Sequence, residues 1–363
     1  MFGRRRLDSL DLATIVVTLL MAAVGVYAIA SATMDEARLQ GLWRVQLVWL
    51  AIGLVAASIV VLVDYHVWAQ LALFLHAGAL ALLGAVLFVG REVGGNRSWL
   101  VLGPARLQPS ELAKWTTCLV LAVYLARRVR GSLGLRQLIE LGTLVGLPLA
   151  LIAGQPDMGT ALIFVPILIT ALLLGGVRWR LLLGLSLVGI ALAFPAWTQL
   201  KDYQKERIRT VFDPNRDPSG YGYQARQSKI AIGSGGLTGK GLFRGTQGQL
   251  NFLPAQHTDF VLAVVAEELG FFGSSAVLGL FYYLLYRCLV AARSSQDRLG
   301  TYMCLMVVAW VAGQLTINVG MVLGRLPTIG VPLPLMSYGG SSLVAMLCGI
   351  GLVVNVRSRR FVN

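Results

Sequence analysis

An aspartate stands where a polar stretch of this chain meets an apolar one. The run 252–260, with the sequence FLPAQHTDF, closes a long Gly-rich, basic segment and opens a strongly apolar one. A carboxylate at or inside a lipid bilayer is costly and tends to mark function. Asp259 is therefore the first candidate for chemistry. The structural alternative is a helix cap, because Thr258 and Asp259 are both good capping residues.

Three other ionisable residues stand at the start of apolar stretches, namely Glu111, Lys114 and Asp157. Glu111 and Lys114 are three positions apart, so on a helix they share a face and can pair. Asp157 follows a Gln-Pro dipeptide and can cap the next helix. An ion pair and a cap are thus the structural alternatives to a shared functional site.

Two consecutive carboxylates, Glu267 and Glu268, follow Asp259 within the apolar stretch. A continuous helix would place them about 12 Å further along its axis. We expect interhelical contacts from them rather than chemistry. Nearly all the intramembrane charge then lies in one half of the protein, which favours a single site at one membrane surface. A path through the bilayer would need charges at several depths.

Hydropathy predicts the elements that must hold these residues. The 363 residues are 56% hydrophobic and 13% charged, with a mean hydropathy of +0.71, whereas soluble proteins average about 25% charged residues. We predict an all-α, polytopic membrane protein, a single domain over 1–363 with about ten transmembrane helices. The predicted spans are 10–30, 45–63, 68–89, 111–126, 137–153, 158–176, 179–198, 260–287, 301–323 and 333–355.

Basic residues predict the orientation of these helices. The net charge is +14, and Lys and Arg concentrate in cytoplasmic loops, so the excess indicates topology and not nucleic acid. With ten spans, the Arg clusters at 4–6, 127–136, 178–180, 293–298 and 357–360 share one side. Both termini are therefore expected in the cytoplasm. The Arg-rich start resembles a signal peptide, but its apolar run is longer than a typical h-region and is interpreted as the first span.

The opposite side carries a loop of unusual length, 199–258. Loops this long are uncommon in compact domains and are usually functional. It holds nine basic and four acidic residues, a net charge of +5. Long loops escape the charge rule of topology, so the excess suggests an anionic partner or, alternatively, contact with lipid phosphates.

Two Gly-rich runs also fall on this side. The run 233–241, GSGGLTGKG, departs from the phosphate-loop pattern G-x-x-x-x-G-K-[ST] at two positions, so it predicts no nucleotide site. Its backbone amides could still form an anion nest. The run 332–342, PLPLMSYGGSS, predicts a broken helix end lining a cavity, or a kinked packing helix. The four Cys and three His show neither disulfide nor metal-ligand spacing.

Six ordered motifs together resemble the SEDS family (shape, elongation, division and sporulation proteins), and within it the RodA branch more than the FtsW branch. The resemblance covers nearly the whole chain. The motifs are QPSE at 108–111 with Lys114, QPDMGT at 155–160, YQ at 203–204 with Arg207, the run 233–241, the run 252–260 with AEELG at 266–270, and the run 332–342.

This resemblance implies a peptidoglycan glycosyltransferase that polymerises lipid II at the outer face of the cytoplasmic membrane during cell elongation. It implies a partner, a class B penicillin-binding protein (a transpeptidase) that cross-links the strands. The family's essential acid matches Asp259. Its cavity and loop residues match Glu111, Lys114, Asp157 and Arg207. One position departs, because many members carry an acidic residue where this chain has Ala255.

A single inverting displacement would suit this chemistry. Asp259 would act as general base for the GlcNAc 4-hydroxyl, which attacks the MurNAc anomeric carbon. Arg207, Lys114, Lys240 or a divalent cation such as Mg or Mn would hold the diphosphate. Ser337, at the mouth of the last helix, is a further candidate for substrate binding. No organic cofactor is expected.

Two other functions are open from the sequence. A transporter that flips lipid II would favour midplane charges and inverted repeats, whereas the charges gather on one side. A membrane scaffold that only recruits an enzyme would not need Asp259 or the motif-rich loop.

Overall fold

The computed structural model describes residues 11–36, 39–93, 96–102, 105–128, 132–181, 202–213, 220–250 and 252–360, with isolated positions between 183 and 217. Its helices, numbered here in chain order, are α1 (Leu12–Ala32), α2 (Leu42–Leu62), α3 (Tyr65–Val89), α4 (Pro109–Arg128), α5 (Leu135–Gly154), α6 (Met158–Leu174), α7 (Asp202–Phe212), α8 (Tyr221–Ser234), α9 (Thr246–Gln249), α10 (Val261–Arg293), α11 (Arg298–Val322) and α12 (Gly340–Ser358). The chain is an all-α polytopic membrane protein, as the sequence predicts.

Nine of the ten predicted spans coincide with helices. Seven helices are long and apolar enough to cross a membrane, and α6 is a shorter apolar helix. The ninth is α4, which has the length of a span but carries Glu111, Lys114 and two arginines. The predicted span 179–198 lies mostly outside the described residues. α10 and α11 pack on each other, and α11 also packs on α4 and α6, so these helices form the centre of the bundle.

The predicted basic side forms one end of the bundle. Asp11, which caps α1, pairs with Arg287 of α10 and with Arg357 of α12. Arg359 pairs with Asp64, in the turn between α2 and α3, at 3.1 Å. These contacts bring together chain ends and turns that the counting of basic residues assigns to the same side.

At the opposite end, two predicted loops have regular structure. The loop 90–110 forms three short antiparallel strands, β1 (Arg91–Val93), β2 (Asn96–Leu102) and β3 (Ala105–Leu107), in the order β1-β2-β3. The loop 199–258 contains α7, α8 and α9. α8 forms an ordered part of this segment, because it buries Gly222, Ala225, Ser228 and Ala231 at helical spacing.

α10 is not a continuous helix. Gly270 lies inside it with a φ of +67°, outside the helical region, and the chain changes direction there. Glu268 accepts hydrogen bonds from Tyr27 and Ser31 near the end of α1, and Gln256 donates to the carbonyl of Ala32 at 2.7 Å. Both residues thus contact the last two turns of α1.

The last helix begins at Gly340, later than predicted, because residues 324–339 have irregular backbone. This segment packs inside the bundle: a Cβ on Gly25 of α1 would collide with the backbone of Met336. Irregular backbone at membrane depth is tolerated where protein surrounds it.

Candidate functional site

Glu111 and Lys114 form a buried ion pair in the first turns of α4. Their side chains are 2% and 0% exposed, and Lys114 Nζ lies 2.8 Å from Glu111 Oε1. Lys114 Nζ also lies 3.4 Å from Gln314 Oε1 on α11 and 5.6 Å from the ring centre of Trp310. With no exposed surface, Lys114 is placed to act through its field on neighbouring groups rather than by contact with a ligand.

Asp157 caps α6, as the structural alternative predicts. Its carboxylate accepts hydrogen bonds from Thr160 N at 3.1 Å and Thr160 Oγ1 at 2.8 Å. Gln108, just before α4, donates a third at 3.1 Å. Burial raises the pKa of Asp157, while Lys114 acts to lower it and Glu111 to raise it. The cap therefore lies within the field of the α4 ion pair.

Asp259 lies in the tight turn before α10. The turn is closed by amides of Thr258 and Asp259, which donate to the carbonyl of Ala255 at 3.1 and 3.0 Å. The N-cap of α10 is Phe260, with no side-chain cap hydrogen bond. The capping alternative for Asp259 is therefore wrong.

Asp259 is partly exposed, and its surroundings shift the pKa of its carboxyl group. This pKa is raised to about 6, chiefly by burial and in smaller part by Asp157. A hydrogen bond from Thr258 and the charge of Arg207 act to lower it. Asp259 thus senses the charges of both Asp157 and Arg207. The field of the α4 ion pair reaches Asp157 and that of Asp157 reaches Asp259, so these predicted residues converge on one site.

Arg207 comes from α7, in the long segment 199–258. Its Nη2 donates to the hydroxyl of Tyr221 at 2.9 Å, and its guanidinium lies 4.4 Å from the centre of that ring. Arg207 is partly exposed, so it and Asp259 are the two residues of the cluster best able to contact a substrate.

Two predicted site residues have other partners. Lys240 Nζ lies 2.6 Å from Glu267 Oε1 and 2.7 Å from Thr246 Oγ1. Ser337 is buried, and its hydroxyl accepts a hydrogen bond from the amide of Leu333 at 2.8 Å. The structure thus joins Lys240 to Glu267. It uses Ser337 to close a turn next to Tyr338, whose amide donates to the carbonyl of His257 at 2.9 Å.

Several amides of the run 233–241, where the sequence leaves an anion nest open, have backbone acceptors. The amides of Gly235 and Gly239 donate to carbonyls within the preceding turn. The amides of Lys240 and Gly241 donate to the carbonyls of Glu267 and Glu268, at 3.0 Å each. Amides already engaged by backbone carbonyls cannot cradle an anion.

The carboxylates do not form a ready metal site. Among the residues that the structure describes, no three His, Cys, Asp or Glu side chains are grouped to hold an ion. Glu111 is paired with Lys114, and Asp157 is hydrogen-bonded as a cap. These carboxylates therefore do not fit a divalent cation held by the protein.

Amide side chains complete the site. Asn318, buried in α11, donates to the carbonyls of Asp259 at 2.9 Å and Val331 at 2.7 Å. Gln314, one turn earlier, accepts from Trp310 Nε1 at 3.0 Å and donates to the carbonyl of Pro332 at 2.9 Å. The sequence analysis missed both residues. Their signal was available, because two amides four positions apart in an apolar helix share a face.

The chain is similar over nearly its whole length to one family of proteins. Residues 11–361 match the model of the FtsW/RodA/SpoVE family, described as cell cycle proteins. Peptidoglycan glycosyltransferase MrdB of Escherichia coli is 42% identical over 315 residues, which are 86% of this chain and 84% of that protein. Stage V sporulation protein E of Bacillus subtilis is 33% identical over 354 residues, 95% of this chain and 96% of that protein.

Solved structures share the fold. A chain from a peptidoglycan synthase complex, described as coordinating polymerization and crosslinking, has a TM-score of 0.83 at 33% identity and covers 98% of this chain and 99% of its own. The Rod shape determining protein RodA of Thermus thermophilus has a TM-score of 0.73 at 31% identity, with 98% of each chain covered.

Proposed function

This chain belongs to the FtsW/RodA/SpoVE family of cell cycle proteins, and we propose that it polymerises lipid II into glycan strands at the outer face of the cytoplasmic membrane. It is a peptidoglycan glycosyltransferase of the SEDS type, most like RodA, acting in cell elongation. One observation carries the mechanism: Asp259 is partly exposed, and burial raises the pKa of its carboxyl group to about 6.

A carboxylate with this pKa suits a general base. It is largely ionised at neutral pH, yet more basic than an ordinary aspartate, whose pKa is near 4. Asp259 takes the proton from the GlcNAc 4-hydroxyl as that oxygen attacks the MurNAc anomeric carbon. The bond to the lipid diphosphate breaks in the same displacement, so an α-linked donor gives a β-linked glycan.

Arg207 is the cation that we assign to the leaving diphosphate. It lies on the same extracytoplasmic side as Asp259, is partly exposed, and is held by Tyr221. A fixed guanidinium stabilises the charge that develops as the diphosphate leaves. Asp157 acts electrostatically on Asp259, and the Glu111–Lys114 pair acts in turn on Asp157.

We also propose a partner and an orientation in the membrane. We assign a class B penicillin-binding protein as the cross-linking partner, since one structural neighbour is a chain of a complex that coordinates polymerization and crosslinking. The end of the bundle that carries the Arg clusters faces the cytoplasm, with both termini. The Asp259 end then faces the side where lipid II is used.

A test needs purified protein, with and without its penicillin-binding partner, and labelled lipid II in detergent. Glycan polymer that is lost in Asp259→Asn is the expected result. Translocation of lipid II in vesicles, without polymer in either setting, would instead identify a transporter. If the protein binds its partner but gives neither polymer nor translocation, it would act as a scaffold.

A further inference from the structure

The break in α10 is completed by hydrogen bonds to another part of the chain. In an unbroken helix, the amides of Phe271 and Phe272 would donate to carbonyls four residues earlier. Here the Phe271 amide donates to the carbonyl of Gly236 at 2.9 Å. The Phe272 amide donates to the carbonyl of Leu237 at 3.1 Å. Both donors come from the turn after Gly270, so the segment 235–241, here called the glycine clasp, replaces the missing helical acceptors.

The carbonyls freed by the break are satisfied by the same segment. The amides of Lys240 and Gly241 donate to the carbonyls of Glu267 and Glu268. Four hydrogen bonds to the glycine clasp thus stand in place of two within the helix. Unsatisfied backbone groups at a membrane helix cost several kcal/mol each, so the break and the docked clasp depend on one another.

Two glycines make this close approach possible. Gly239 and Gly270 have φ values of +82° and +67°, which disfavour residues with a Cβ. A Cβ on Gly239 would collide with the carbonyl of Glu268, and one on Gly270 would collide with the Gly239 amide. The sequence requirement at both positions is therefore steric.

An ion pair fastens the clasp. Glu267 is 1% exposed, and its Oε1 accepts from Lys240 Nζ at 2.6 Å, from Thr246 Oγ1 at 3.1 Å and from the amide of Gln247 at 3.0 Å. All three donors come from the segment 240–247, so this buried carboxylate holds that segment to α10.

The part of α10 between the clasp and the turn of Asp259 is short and packed on all sides. Every residue from Val261 to Glu268 is buried. It begins two positions after Asp259, whose backbone carbonyl is held by Asn318. A rigid element of this kind transmits a shift at Gly270 to the carboxylate at its other end.

We propose that the glycine clasp positions Asp259. By ending the outer part of α10 at Gly270, the docked clasp sets the direction of the segment Val261–Leu269 and the place of the Asp259 carboxylate in front of it. Gly239, Gly270 and Lys240 are positioning residues, and Lys240 acts through Glu267 rather than on the substrate. This inference rests on the proposed function of Asp259 as the base.

The steric test is Gly239→Ala, with Gly233→Ala as its matched control. Gly233 lies in α8, and a Cβ there would meet no atom within 4 Å. We expect Gly239→Ala to lower kcat for lipid II by about 100-fold with KM unchanged, the cost of a displacement near 1 Å. The control variant should keep the wild-type kcat.

The pH profile separates positioning from a mere loss of stability. In the wild type, kcat should fall below about pH 6, because burial raises the pKa of Asp259 to about 6. An Asp259 displaced towards water has a pKa nearer 4. The residual activity of Gly239→Ala should therefore persist to lower pH, which a smaller folded fraction would not produce.

Lys240→Met and Glu267→Gln decide how Lys240 acts. Positioning predicts that both variants lower kcat, since either one breaks the fastening ion pair. A rise in KM confined to Lys240→Met would instead mean that Lys240 binds the diphosphate, and it would overturn the inference. A wild-type kcat in Gly239→Ala would also overturn it.

Hydrogen–deuterium exchange of the peptide 252–269 decides the matter independently of activity. Faster exchange in Gly239→Ala than in Gly233→Ala supports the clasp, and equal exchange contradicts it. If the wild-type protein makes no glycan, the proposed function fails, while this exchange result still decides whether the clasp holds Asp259.

Discussion

Two sets of carboxylates lie within ten residues at the start of α10, and they have opposite surroundings. Glu267 and Glu268 are almost fully buried and hydrogen-bonded to the fold: the first accepts from Lys240, Thr246 and an amide, the second from Tyr27 and Ser31. Asp259 keeps exposed surface, and burial raises its pKa to about 6.

The difference teaches that the cost of burying a carboxylate does not reveal its purpose. Glu267 and Glu268 accept hydrogen bonds from other elements of the fold, so these two carboxylates serve the structure rather than a substrate. Asp259 is held by its backbone, through Asn318, which leaves the carboxylate free to change its protonation state. The difference between these acids lies in their partners: Glu267 and Glu268 tie other elements of the fold to α10, whereas no such long-range partner is seen for the Asp259 carboxylate among the residues that the structure describes.

The largest expected effect on stability comes from the buried pair in α4. Lys114→Met leaves Glu111 charged and unpaired at 2% exposure, which costs about 3–5 kcal/mol. We expect a large fall in Tm of the purified protein in detergent. The double variant Lys114→Met with Glu111→Leu should recover much of the Tm, because it leaves no buried charge. A single variant as stable as wild type would show that the pair does not hold α4.

A smaller effect on stability is expected at Glu268, one of the two buried glutamates of α10. Glu268→Gln weakens the charged acceptor of Tyr27 and Ser31, at a cost of about 1–3 kcal/mol. Differential scanning fluorimetry should show a lower Tm, while lipid II polymerisation per folded molecule stays close to wild type. Loss of turnover without loss of Tm would erase the contrast with Asp259.

Much of this architecture follows from the sequence. Hydropathy places nine spans because each must supply an apolar run of membrane length. The counting of Arg residues agrees with the ion pairs that join the start of α1, the end of α12 and the turn before α3. Spacing also predicts the Glu111–Lys114 pair and the Asp157 cap, since both depend on residues within one helical turn.

Long-range backbone contacts could not be predicted. The break at Gly270 is stabilised by a segment about thirty residues earlier, so periodicity predicts a continuous helix there. Lys240 lies in a Gly-rich basic loop, which suggests a ligand-binding role. Only its ion pair with Glu267 shows that it holds the fold together. The same contacts fill the amides expected to form an anion nest.

The smallest effect is expected at Ala255. This residue has a φ of +52°, a conformation that costs a non-glycine residue about 1–2 kcal/mol and that Asp and Asn tolerate better. Its carbonyl closes the turn before Asp259. A residue that tolerates a positive φ better than alanine should therefore relieve this conformation.

We expect Ala255→Gly and Ala255→Asp to raise Tm slightly, with little change in polymerisation. Thermal unfolding of both variants beside the wild type measures this. A strong gain in turnover in Ala255→Asp alone would indicate that a second carboxylate takes part in the chemistry.

The most direct test of the central claim compares Asp259→Asn with wild type on purified lipid II. Because burial raises the pKa of Asp259, folding disfavours its charged form above about pH 4, so the neutral Asn should not lower Tm at pH 7. We predict loss of glycan polymer by about 100-fold or more, with Tm equal to or above that of the wild type. Near-normal glycan synthesis by the folded variant would contradict the assignment of Asp259 as the base.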